Sequence, residues 1–331
     1  MKRRTFISGI TLAGATPSLV RAQSAETTPK GETSLKATKA VSPPVVQNPR
    51  ARGFGVSIAV SSLATAWVEY GFSEDALDFV ATASHHGLIA ADDEALHIRV
   101  NHHEALPTDR PIYYRVVAQP LIYPRPYRLE RGEPEMTPVF PLRLPSEKME
   151  KVRVVSINDT HENLETIRAL HTQIERLQPD ALVWNGDTCN DFDDNNDPEQ
   201  IMLNPAGDVT QGWATTRPLL FSNGNHDVRG ARARDAVKSF AGCPESAELP
   251  YNQALRFGPL ALITLDTGED KPDRHPVFGG TAAYEPYRER QAAWLGEVLK
   301  ESRVKGAPCM VAAWHIPVRG LDGQNEGTTF I

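Results

Sequence analysis

Beyond Pro145 the sequence alternates short apolar runs with helical spacing, and this constrains the fold more than any other feature. Residues 152–157 read as a strand. Leu164–Leu177 carries apolar residues at 164, 167, 170, 174 and 177, which is the spacing of one helix face. Residues 180–184, 219–222, 261–265 and 310–314 read as further strands, with a helix over about 290–301 before the last. Strands alternating with helices predict a layered α/β domain. Ligands of such sheets collect outside the carboxyl ends of the strands. Four of these strands run out into short polar motifs: Asp159-Thr160-His161, Gly186-Asp187, Asn223-Gly224-Asn225-His226-Asp227, and His315. All four are therefore expected at one place.

Taken singly, each motif also has an ordinary structural reading. Asp159 is placed to cap the helix that starts near Asn163. Gly-Asp is a common turn, and Asn-Gly-Asn is turn chemistry. A histidine after a strand is often a hydrogen-bonded structural residue. The ordered set at strand ends is harder to obtain by accident. Its carboxylates, imidazoles and amides are the oxygen and nitrogen ligands that suit Mn, Fe or Zn.

The order D-x-H, G-D, G-N-H-D and H resembles the calcineurin-like metallophosphoesterase family over about residues 152–318. The segment Arg290-Gln291-Ala292-Ala293-Trp294-Leu295 also resembles that family's stretch before its later histidine. The resemblance implies a four-layer α/β/β/α domain holding two divalent or trivalent transition metal ions, of Fe, Mn or Zn. It implies that Asp159 and His161 hold the first ion, that Asp187 bridges both, and that Asn225 and His315 hold the second. His226 would touch the phosphate or protonate the leaving oxygen, with Asp227 orienting its imidazole. The implied reaction is hydrolysis of small phosphate mono- or diesters by a metal-bound hydroxide.

Two departures from the family pattern stand out. The purple subgroup has a tyrosine three residues after the bridging aspartate, where this chain has Asn190, so an iron–tyrosinate centre is not expected. Cys189, beside it, reads as a small buried packing residue rather than a thiolate ligand. The family's G-H-x-H element is also missing. No histidine follows His315, and His171, on a helix, and His275, in a polar loop, lack the context to replace it. This leads us to expect a catalytic domain incomplete at its C-terminus. The alternative is a degenerate member acting as a non-catalytic exported binding protein. The acidic stretch 191–197 reads as a solvated loop, with a further cation site as the other reading, and it favours small substrates over anionic polymers.

Before Pro145 the text is different. Residues 56–60, 65–70, 79–84, 96–100, 112–118 and 139–144 are short β-branched and aromatic runs separated by Gly, Asp and Pro breaks. They predict a β-sandwich of the immunoglobulin or fibronectin III type over residues 50–145. Thr65-Ala66-Trp67-Val68-Glu69-Tyr70-Gly71 and Tyr113-Tyr114-Arg115-Val116 resemble the N-terminal sandwich of purple-acid-phosphatase-like proteins. His85-His86 and His102-His103 read as surface histidines, because neighbours on a strand face opposite sides. The phosphoesterase domain is then expected over 151–331.

The chain opens with Lys2-Arg3-Arg4-Thr5-Phe6-Ile7, a mildly apolar stretch and a small-residue exit near Ala22. This resembles a twin-arginine export signal over residues 1–22 and implies a periplasmic or secreted protein. The other reading is a basic arm. Residues 23–49, rich in Thr, Ser, Lys, Ala and Pro, are expected to be a disordered linker. The 42 acidic against 35 basic residues argue against nucleic acid as a partner. No apolar run reaches the roughly 18 residues of a membrane span. Three cysteines exclude a disulfide framework. Oligomeric state is left open.

Overall fold

The computed structural model describes residues 42–193, 198–207, 212–240 and 242–317. The export signal expected at 1–22, the linker up to residue 41, residues 194–197 of the acidic stretch and residues 318–331 lie outside the described residues.

The linker expected up to residue 49 gives way to structure before its end, because Val45–Arg50 is a strand. Val45 and Val46 are buried β-branched residues that suit a pleated surface. Val46 pairs with Pro218 and Gln47 with Leu219 in parallel, while the other edge pairs antiparallel with Gly53–Ala59. This strand therefore joins the two halves of the chain into one sheet. Its order is Val154–Ile157, Ala181–Asn185, Pro218–Ser222, Val45–Arg50, Gly53–Ala59 and Ala95–Asn101.

The N-terminal half is strand-rich and sandwich-like. A second sheet centres on Ala64–Gly71, flanked by Phe79–Thr82 and by Ile112–Arg125, a strand that runs well past the expected end at 118. Phe54, Val56 and Ile58 of the first sheet pack against Ala66, Val68, Tyr114 and Val116 of the second. Alternate residues face inward, as the period of two requires. His102 departs from the surface reading. It is buried against Phe72 and Phe79, and its Nδ1 lies 3.1 Å from the Tyr70 hydroxyl.

The C-terminal half shows the expected four layers. On one face of the six-stranded sheet, Ile167 and Ile174 of helix Leu164–Leu177 pack on Leu182, Trp184, Leu219 and Phe221. On the other face, Val183 and Leu220 meet Leu255, Phe257 and Leu262 of a three-stranded sheet made by Gln253–Phe257, Leu260–Thr264 and Cys309–Ala313. That sheet is backed by helix Tyr284–Val298 through Ile263, Leu265 and Val298. The helix starts six residues before the expected position, because the Asp273 carboxylate accepts from the Tyr284 and Glu285 amides. A cap contributed from eleven residues upstream leaves no local signature.

Because the halves share a sheet, both are expected to unfold in one transition. Val46→Asp places an unpaired charge at a fully buried position and should cost about 4 kcal/mol or more. Thermal melts followed by far- and near-UV circular dichroism test this. Two separate transitions in the unaltered protein would refute it.

Candidate metal centre

Each predicted motif forms a tight turn at a strand end, and the turns are laced together by backbone bonds. The amides of Asp159, His161 and Glu162 donate to the carbonyls of Gly186, Asp187 and Thr188. Asp159, His161, Glu162 and Asp187 all take positive φ, between 44° and 56°. Such conformations are costly for residues with side chains and concentrate at functional sites. Two glycines make the approach possible. A Cβ on Gly186 would lie 2.3 Å from the Gly224 nitrogen, and one on Gly224 would lie 2.1 Å from Asp187 Oδ1. The cap of helix Leu164–Leu177 is Asn163, whose Oδ1 accepts from the Thr166 amide. Asp159 is therefore not the helix cap.

One oxygen organises the cluster. Asp187 Oδ2 lies 3.7 Å from His161 Nε2 and 3.4 Å from His315 Nε2. Asp159 Oδ1 is 3.9 Å from His161 Nε2. Among the described residues, Asp159, His161 and Asp187 form a group whose ligand atoms all lie within 4.8 Å of one another. His315 Nδ1 lies 2.7 Å from the Asn185 carbonyl, which only accepts, so Nδ1 carries the hydrogen and Nε2 faces Asp187. Burial pulls the His315 imidazole down, but the Asp187 hydrogen bond, the Asn185 carbonyl and nearby carboxylates outweigh it and hold its pKa at about 9. Burial pushes the Asp187 carboxyl up, yet hydrogen bonds from His315 and from the His226 amide more than reverse this and leave it below its ordinary value. Asn225 is half-buried on the turn whose His226 amide donates to Asp187 Oδ1 at 2.9 Å.

The donor set fits a metal centre. Hard oxygens and imidazoles converge at an electronegative point, and His161 Nδ1 is buried without a hydrogen-bond partner. The first-ion set Asp159, His161 and Asp187 lies together. His315 joins it through Asp187, and Asn225 sits on the adjoining turn.

Asp227 differs from its expected role. Its buried carboxylate accepts from the amides of Asp187 (2.7 Å), Thr188 (2.9 Å) and Gly224 (2.8 Å) and from the Thr188 hydroxyl. It pins the second motif to the third and does not orient the His226 ring. That ring is held instead by its Nδ1, 2.5 Å from the Asn190 carbonyl. Asn190 thus acts through its backbone at the position where the purple subgroup has its tyrosine. Cys189 is fully buried, and burial pushes its thiol up. His171 packs on Trp213, and His275 caps the turn Pro276–Phe278, so neither belongs to the cluster.

Sequence reasoning missed Arg229. Its Nε and Nη2 each lie 2.9 Å from an oxygen of the fully buried Glu269 side chain, and its Nη1 lies 3.5 Å from His226 Nε2. The only available signal was its place two residues after the N-H-D run.

A family profile described as calcineurin-like phosphoesterase matches residues 152–329, more than half of the chain and all four motifs. The chain belongs to the calcineurin-like phosphoesterase family. Members of this family are generally metal-dependent hydrolases of phosphate esters. No curated protein matches this chain. Among solved structures it is similar to a β-glucuronidase from glycoside hydrolase family 2, at 10% identity and a TM-score of 0.25, covering 84% of this chain and 37% of that one. It is also similar to the Bifidobacterium dentium β-glucuronidase complexed with coumarin-3-O-glucuronide, at 10% identity and a TM-score of 0.25, covering 86% and 55%. The chain thus spans little more than half of one of these structures and less of the other. Likeness of this size defines neither its fold nor its chemistry.

Beside the cluster, burial pushes the Asp266 carboxyl up to about 6, although Asn223, Gly268 and Tyr287 donate to it. Between about pH 4 and 6 the folded protein keeps a proton there that the unfolded chain has lost. That stabilisation is complete below about pH 4 and disappears as pH rises through about 6, a span on the order of 3 kcal/mol. Asp266→Asn is expected to flatten this decline, with the Asn223 amide turning to present its unpartnered Oδ1. Melting temperatures from about pH 4 to 7 measure it. A variant whose slope matches the parent's would show that Asp266 is not the titrating group.

Proposed function

We propose that this phosphoesterase hydrolyses small phosphate mono- or diesters with two divalent or trivalent transition ions, of Fe, Mn or Zn. Asp159, His161 and Asp187 hold one ion, and Asp187, Asn225 and His315 hold the other. The observation that carries this reading is the single carboxylate oxygen, Asp187 Oδ2, set between two imidazoles at 3.7 and 3.4 Å. When bound, such ions supply Lewis-acid charge to phosphoryl oxygens and acidify water. The protein's own groups do the rest. His226 carries a hydrogen on Nδ1 towards the Asn190 carbonyl, so its Nε2 is the ring position open to the substrate, and once the ring holds a second proton there it can donate to a phosphoryl oxygen or to the leaving oxygen. Arg229, fixed by Glu269, places a positive charge beside that nitrogen.

In the finer reading, the protein is an exported relative of the purple-acid-phosphatase-like group without its tyrosinate colour. Asn190 supports the lack of colour, the sandwich-like N-terminal half supports a fibronectin III-type module, and Lys2-Arg3-Arg4-Thr5-Phe6-Ile7 supports twin-arginine export to the periplasm or beyond. Metal analysis of the purified protein and hydrolysis of a chromogenic phosphate ester form the test. Close to two transition ions per chain together with turnover are expected. Fewer than one ion and no turnover would sink the enzyme reading and leave a non-catalytic exported binding protein.

A further inference from the structure

A cavity of about 700 Å³ opens beside the His226 turn, a size that suits a small organic ligand. Asp227 and Arg229 line it. Arg229 faces both ways: its Nη1 lies 3.5 Å from His226 Nε2, and its side chain borders the cavity. The two bonds from Glu269 stop the guanidinium from swinging into that space.

Phe278, Tyr284 and Tyr287 give the cavity an aromatic lining as well. The Phe278 and Tyr284 rings lie 6.0 Å apart at 60°. Gly268, at φ +63°, fixes the seat of Tyr284, since a Cβ there would come within 2.6 Å of the ring. Tyr287 is held by its hydroxyl donating to Asp266 at 3.1 Å. Val277, on the turn Pro276–Phe278, is 64% exposed and forms an apolar lip.

The carboxylates that border the cavity are already engaged. Asp227 accepts from three amides and a hydroxyl, Asp266 from Asn223 and Tyr287, and Glu269 from Arg229 and Lys271. With its carboxylates engaged the cavity has little to hold a cation, whereas its rings suit another flat ring, and Arg234 and Arg290 on the same lining add positive charge. An ester whose phosphoryl group meets His226 would extend its alcohol part past Arg229 into this space.

We propose that the cavity is the leaving-group pocket and that it selects phosphate esters of planar aromatic alcohols. This rests on the phosphoesterase reading of the adjoining centre. Phenol leaves more easily than an alkyl alcohol, so the test uses unreactive analogues. On the metal-loaded protein, calorimetry should show phenylphosphonate binding about tenfold or more tighter than methylphosphonate, from burial of the ring. In Phe278→Ala, at a half-buried position on a surface turn, that ratio should fall towards one. Phe278→Leu, apolar but without a ring, should fall between the two. Equal binding of both phosphonates by the parent, or a ratio that Phe278→Ala leaves intact, would overturn the pocket assignment. Saturation-transfer NMR with benzyl alcohol, which carries no phosphorus, separates the two layers. Benzyl alcohol bound and lost in Phe278→Ala, with neither phosphonate bound, would keep the aromatic pocket and overturn the phosphoesterase reading.

Discussion

Asp187→Asn is expected to lose metal and activity together, lowering kcat/KM by about a hundredfold or more, which is about 3 kcal/mol of transition-state stabilisation. The substitution preserves size, and its Oδ1 can still accept from the His226 amide as the carboxylate does at 2.9 Å. It removes the charge from the oxygen that lies between His161 and His315. The fold should therefore persist while ion content falls. Elemental analysis, steady-state kinetics and a thermal melt on the same preparation check this. Stripping the parent with a chelator should bring it to the variant's level, and returning metal should rescue only the parent. Unaltered rates in Asp187→Asn would refute the bridging role.

The second large effect is one of stability. Asp227→Ala removes the acceptor for the buried amides of Asp187, Thr188 and Gly224. Each stranded donor costs about 1–3 kcal/mol, so a loss of about 4 kcal/mol or more is expected, enough to unfold many domains of ordinary stability. Asp227→Asn should recover only part of it, because one carboxylate oxygen becomes an amide that faces donors. Denaturation midpoints measure the effect. A residue whose task was to orient the His226 ring would behave differently, with a near-parental midpoint and a depressed kcat. That outcome would return Asp227 to the role suggested by the family pattern.

Much of the C-terminal half was legible from local sequence. Helix Leu164–Leu177 has its expected ends because five apolar residues recur at helical spacing and Asn163 offers a side-chain cap. The strands leading to Asp159, Asp187, Asn223 and His315 were legible because each is a short apolar run, even Cys309–Ala313, whose side chains are largely exposed. Tyr284–Val298 was found late, since its amphipathic pattern is faint at the start and its cap, Asp273, comes from a separate loop. Arg229 had no legible task, because its partner Glu269 is forty residues away.

The order of the motifs, and their placement after strands, fixed the family and the chemical types of the metal-centre residues, because residue type and strand periodicity are local properties. Only the tertiary structure decided how those residues are held. It showed Asp227 binding backbone amides instead of an imidazole, Asn190 holding His226 through a carbonyl, and Glu269 aiming Arg229. It also decided that Val45–Arg50 belongs to the sheet of Pro218–Ser222, about 170 residues further on. The physical reason is common to all of these. A hydrogen bond or a strand pairing depends on distance in space, and a single sequence records only distance along the chain.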